Sequence, residues 1–195
     1  MLGDSITAGF PTSTLLKEYS VINKGISGDR TESVLERLNE DVIALTPSAV
    51  FLLIGTNDLP FTNSNNTMLV NYERIILRIS KGIPGVRLFV QSILPTRHLE
   101  TRPLERIQLL NLEIHKLAMK YGAKYLDIYP LFVNGNGELA EKFSDDGLHL
   151  TTLGYERWAE FLKQVFVTMM RAKNARNFHQ TDRSSHPSDD LERRT

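Results

Sequence analysis

A serine hydroxyl becomes a nucleophile only beside a base, and that base needs a partner to orient it. Near the start of the chain, "GDSITAG" places Ser5 in a tight Gly-Asp-Ser turn. Far downstream, "DDGLHL" sets His149 three residues after Asp146. That spacing can bring a carboxylate and an imidazole to the same side of a turn. Asp146 could then take a hydrogen bond from one ring nitrogen and leave the other for Ser5. Of the five histidines, the rest have less to offer. His98 sits in a polar loop, His115 inside a long helical pattern, and His179 and His186 in a polar C-terminal stretch. Acyl transfer also needs donors for an oxyanion. Gly28 in "GISGD" could bring a backbone N–H to a ligand with no side chain in the way. Asn57 in "GTND" could add its side-chain amide, and Ser5 its own N–H. Taken singly, each has a plainer use: Gly-Asp-Ser as a turn or helix cap, Gly28 as a strand-end turn, Asn57 as an Asx-turn, and Asp145 to Gly147 as a turn beside a surface histidine.

Composition removes other chemistries. The chain has no cysteine, so disulfides, thiolate metal sites and cysteine nucleophiles are excluded. Lys plus Arg equals Asp plus Glu at 23 each, and a formal charge of zero gives no reason to expect a nucleic-acid partner. No apolar run approaches the roughly 18 residues of a membrane span. Asp4 interrupts the start, which does not read as a signal peptide. As given, the chain is expected in the cytoplasm, with an export signal only if the true start lies upstream. Its oligomeric state is not legible.

These residues must be positioned by elements that alternate between short apolar runs and longer helical patterns. Val21 and Ile22 make a brief run ending in glycines. Thr31 to Ala44 has helical spacing, with Thr31 as its expected cap. Ala49 to Gly55 and Val86 to Leu94 are continuous apolar runs, the mark of strands buried on both faces. Thr67 to Lys81 is helical, and a stripe from Leu104 to Tyr121 follows Pro103, which a first helical turn tolerates. "AKYLDIY" is a short strand, and Leu153 to about Arg171 is a final amphipathic helix. Such alternation predicts an α/β domain with a parallel sheet, helices on both faces, and functional loops at the carboxyl ends of the strands. We expect one domain over 1–173 and a disordered polar tail over 174–195.

Taken together, "GDSIT", "GISGDRT", "GTND" and "DGLH" resemble, in order, the four blocks of the SGNH superfamily, which includes the GDSL-type esterases and lipases. The resemblance implies a three-layer α/β/α flavodoxin-like fold with about five parallel strands. It implies Ser5 as nucleophile, His149 as base with Asp146 as its partner, and Ser5, Gly28 and Asn57 as oxyanion donors. No metal or organic cofactor is required. Ile6 stands where the family name has leucine. "DGLHLTTLGYERWAEFL" is similar to the acetylhydrolase and carbohydrate-esterase branches, so small-acyl esters of carbohydrates or lipids are the expected substrates. Lysophospholipids or thioesters come next. The loops Pro60–Asn66 and Pro95–Pro103 should flank the cleft, with Phe61 toward an acyl group and Arg97 or Arg102 toward a charged or sugar-bearing partner. A non-catalytic flavodoxin-like module cradling phosphate in "GDSITAG" is the rival, but it leaves Asp146 and His149 without a task and lacks a P-loop lysine.

In this superfamily the serine turn follows a buried strand, yet only Met1 and Leu2 precede Gly3. The first strand is therefore expected to be truncated. Each lost hydrogen bond would cost roughly 1 kcal/mol. The expected result is a split sheet, a loose Ser5 loop and, at the extreme, an inactive form.

Overall fold

A computed structural model describes residues 1–61 and 64–183. Five strands form one parallel sheet: β1 (Leu2–Gly3), β2 (Lys24–Gly25), β3 (Ala49–Leu53), β4 (Arg87–Gln91) and β5 (Lys124–Leu126). Their order is β2-β1-β3-β4-β5. The helices are α1 (Ser5–Ala8), α2 (Thr12–Leu15), α3 (Thr31–Leu38), α4 (Asn65–Gly82), α5 (Leu104–Lys120) and α6 (Thr152–Arg183). The predicted α/β class and five-strand parallel sheet are both present.

Side-chain alternation explains why the sheet is buried on both faces. Val50, Leu52 and Ile54 of the β3 segment, with Leu88 and Val90 of β4, join one apolar core with Val34 and Leu38 of α3, Tyr72, Ile75 and Ile79 of α4, and Ile107, Leu110 and Ile114 of α5. The intervening residues face the other way. There Phe51 stacks on Phe89 at 4.5 Å, and Gln91 accepts a hydrogen bond from the Trp158 indole at 2.8 Å. Trp158 in turn meets Phe10 edge-on at 5.0 Å.

The sheet is not split at its front. Leu2 and Gly3 pair with Lys24 and Gly25 on one side and with Leu52 and Leu53 on the other. Two residues thus carry ladders to both neighbours. The second strand lies not at Val21–Ile22 but at Lys24–Gly25, where backbone pairing to β1 rather than apolar content defines it; Ile22 is exposed. The expected helix from Thr31 changes hydrogen-bond pattern at Asn39 and ends as a π-turn over Asn39–Ile43. Thr31 is its first residue rather than its cap. The last helix continues past Asn174, the expected start of the tail, to Arg183; residues 184–195, with His186, lie outside the described residues. Among the described residues, no helix is long and apolar enough to cross a membrane.

Candidate active site

Because all five strands are parallel, the loops after β1, β2, β3 and β4 leave the same edge of the sheet. The first is the shortest. The chain passes from Gly3 directly into α1, and Asp4 caps that helix by accepting the Ile6 N–H at 3.0 Å. Asp4 is buried, while Ser5, the first helical residue, is half-buried. Burial pushes the Asp4 carboxyl up to about 7, against the lowering effect of the hydrogen bond from the Ile6 N–H. The Ser5 N–H lies in the first helical turn, where backbone donors have no partner within the helix.

Ser5 Oγ is 2.9 Å from His149 Nε2, and His149 Nδ1 is 2.7 Å from Asp146 Oδ2. The other Asp146 oxygen accepts the backbone N–H groups of Leu148 at 2.8 Å and His149 at 2.7 Å. Desolvation acts to raise the Asp146 carboxyl. The hydrogen bonds from the His149 ring and from these two N–H groups outweigh it, holding the group well below the usual carboxylate range. An ionised Asp146 assigns the proton to Nδ1 and leaves Nε2 as the acceptor for the serine hydroxyl. Gly147 makes this turn possible. Its φ of 78° lies in the left-handed region, and a Cβ there would overlap the Arg97 carbonyl oxygen.

Gly28 is needed for a different reason from the one its lack of a side chain suggested. A Cβ would meet nothing within 4 Å, but its φ of 83° belongs to a turn closed by the Asp29 N–H on the Ile26 carbonyl at 3.2 Å. Positive φ at that turn position favours glycine. Among the described residues, the Gly28 N–H donates to no protein acceptor. Asn57, after β3, donates through Nδ2 to the Asp29 carbonyl at 3.1 Å. An amide nitrogen carries two hydrogens, so one remains for a ligand. The glycine and asparagine loops are joined again by Asp58, whose carboxylate accepts the Thr31 N–H at 3.0 Å and the Thr31 hydroxyl at 2.5 Å.

Arg97 and Arg102 serve the loops themselves. The Arg97 guanidinium donates to the carbonyls of Leu139 at 3.0 Å and Ser144 at 2.9 Å, and its backbone N–H donates to Gly147 O at 3.0 Å. It thereby clamps the segment that carries Asp146. Arg102 donates from Nε to Thr56 O at 3.0 Å, beside Asn57. Phe61 is 74% exposed with the Arg30 guanidinium 5.1 Å above its ring; Thr62 and Asn63 of the same loop lie outside the described residues. Sequence reasoning offered Gly-Asp-Ser as a turn or helix cap without assigning the cap to Asp4, and it missed Asp58 as a loop tie. Their signal was position, each flanking a residue singled out for chemistry. Elsewhere, His98 is exposed near Glu138, and His115 stacks on Tyr125; the side chain of His179 lies outside the described residues. Among the described residues, no cluster of three or more His, Cys, Asp or Glu side chains is arranged to hold a metal ion.

The family model for the GDSL-like Lipase/Acylhydrolase family matches residues 1–157. The chain belongs to that family. Within it, the chain is 32% identical over 159 residues to platelet-activating factor acetylhydrolase IB subunit alpha1 of Rattus norvegicus, covering 80% of this chain and 67% of the relative. A shorter stretch of 78 residues is 42% identical to an acetylxylan esterase of Geobacillus stearothermophilus, covering 35% and 36% of the two chains. The crystal structure of a GDSL-like lipase from Bacteroides thetaiotaomicron superposes with a TM-score of 0.76 at 26% identity over 86% of each chain. This GDSL-like acylhydrolase is a carboxylic ester hydrolase.

Proposed function

We propose that the protein hydrolyses small-acyl, acetyl-type esters of carbohydrates or lipids through an acyl-enzyme formed on Ser5. The observation that carries this reading is the continuous hydrogen-bonded series from Ser5 Oγ through His149 to Asp146, at 2.9 and 2.7 Å. His149 Nε2 takes the serine proton as Oγ attacks the ester carbonyl. The resulting imidazolium is held in orientation by Asp146. The oxyanion is met by the N–H groups of Ser5 and Gly28 and by the free amide hydrogen of Asn57. The alcohol leaves with the proton from Nε2. Water, deprotonated by the same nitrogen, then attacks the acyl-enzyme and releases the acid and Ser5. The acetyl preference is supported by the activities that the mammalian and bacterial relatives are named for.

The test is a series of p-nitrophenyl esters of increasing acyl length, followed by acetylated xylo-oligosaccharides and an acetylated ether phospholipid. We expect kcat/KM to be highest for acetyl and Ser5→Ala to remove turnover without changing the circular dichroism spectrum. Wild-type-like turnover by Ser5→Ala would refute the assignment of the nucleophile. A kcat/KM that climbs steadily with chain length would instead indicate a lysophospholipase or thioesterase.

A further inference from the structure

Arg37 lies on α3, outside the serine, glycine, asparagine and histidine motifs, with its side chain only 14% exposed. Its guanidinium reaches four acceptors. Nε donates to Asp29 Oδ2 at 2.7 Å and Nη1 to Asp41 Oδ2 at 2.7 Å. Nη2 donates to the carbonyls of Gly3 at 3.1 Å and Lys24 at 2.9 Å. Gly3 immediately precedes the Asp4–Ser5 turn, and Asp29 immediately follows Gly28. The carbonyl of Asp29 is also the group that holds the Asn57 amide at 3.1 Å. One guanidinium therefore spans the strand ahead of the serine and the residue that links the two remaining oxyanion donors.

We propose that Arg37 is a positioning residue which, through Asp29, sets the Gly28 N–H and the Asn57 amide against Ser5. The inference rests on the roles given above to Ser5, Gly28 and Asn57. A rigid planar fork can address four acceptors in fixed directions, whereas a lysine offers a single point charge. Released from Arg37, Asp29 is free to shift, and both donors shift with it. Those donors act on charge that develops in the transition state, so their displacement lowers kcat and leaves KM nearly unchanged.

Asp41 provides the comparison, although it also accepts a hydrogen bond from Lys24 Nζ at 2.9 Å. It binds the same guanidinium at the same 2.7 Å, but sits on the π-turn after α3 rather than in the glycine loop. The experiment measures kcat, KM and melting temperature with p-nitrophenyl acetate for Asp29→Ala and Asp41→Ala, alone and combined with Asn57→Ala, and for Arg37→Lys. Asp29→Ala and Arg37→Lys should each lower kcat on the order of 10- to 100-fold with KM within about twofold of wild type. Asp41→Ala should lower the melting temperature comparably while keeping kcat within about threefold of wild type. In the Asn57→Ala background, the kcat loss from Asp29→Ala should shrink several-fold, since the two act through one group. Equal kcat losses in the Asp29 and Asp41 variants, or losses that multiply independently with Asn57→Ala, would overturn the proposal. A low kcat in Asn57→Ala beside an unchanged one in Asp29→Ala overturns the Arg37 inference alone. Wild-type kcat in Asn57→Ala overturns the oxyanion assignment itself, and this inference with it.

Discussion

Replacing Asp4 by asparagine should stabilise the protein in neutral and mildly alkaline solution and change little in acid. The carboxyl is 1% exposed, and burial lifts it from 3.8 to about 7 in the folded state. Between those values the folded chain holds a proton that the unfolded chain has already lost. Stability therefore falls as pH rises across that window. A difference of about 3 units at roughly 1.4 kcal/mol each gives a loss of about 4 kcal/mol between acid and alkaline solution. Asparagine can keep the cap, since its side-chain oxygen can still accept the Ile6 N–H, and it has no charge to desolvate. The assay is urea denaturation of both proteins, followed by circular dichroism, at steps from about pH 4 to about pH 8. Every other titrating group contributes to both curves, so the quantity to plot is the variant's stability minus the wild type's. It should rise by about 4 kcal/mol across the range, with most of the rise below pH 7. A flat difference, or a wild type more stable than the variant at the alkaline end, would refute the reasoning.

Asn57→Ala should lower kcat by roughly 10²- to 10³-fold with little change in KM, measured by steady-state hydrolysis of p-nitrophenyl acetate. Asp146→Asn should cost on the order of 10²- to 10⁴-fold in kcat, because the amide no longer enforces protonation of Nδ1. The depressed carboxyl of Asp146 stays ionised throughout mildly acidic solution, so titration of this residue should not appear in the wild-type rate profile above about pH 4. Gly147→Ala must adopt a left-handed φ and displace the Arg97 carbonyl. It should destabilise the fold by more than about 1 kcal/mol and lower the melting temperature together with activity.

The residues proposed for the site stood out in the sequence because this fold class places loops for function where strands end, and strand ends are where apolar runs give way to polar ones. Ala49–Leu53 and Arg87–Gln91 lie within the predicted runs, and Asn57 and Arg97 follow them. Pattern failed where backbone pairing, rather than burial of side chains, defines the element. β2 is an edge strand of two half-buried residues, Lys24 and Gly25, and no apolar periodicity marks it. The ties between loops were equally hidden. Thr31 meets Asp58 across 27 positions, and Arg37 meets Gly3 across 34. Nothing local distinguishes such a threonine or arginine from one on a solvated helix face. Arg97 and Arg102 were legible as residues near the cleft, but not as ligands of the chain's own carbonyls.

Asp146 and His149 meet within a single turn, whereas Ser5 reaches His149 across 144 positions of the chain. A second bond of nearly equal span, from the Tyr155 hydroxyl to the Ile6 carbonyl at 3.1 Å, lies beside it. On the proposed mechanism, the proton-handling pair is prefabricated by short-range geometry, and the attacking hydroxyl joins it only when remote stretches of polypeptide are stitched together. Turnover then doubles as a gauge of that seam: an opening between α1 and the first turn of α6 should silence the proposed chemistry even while every strand stays paired.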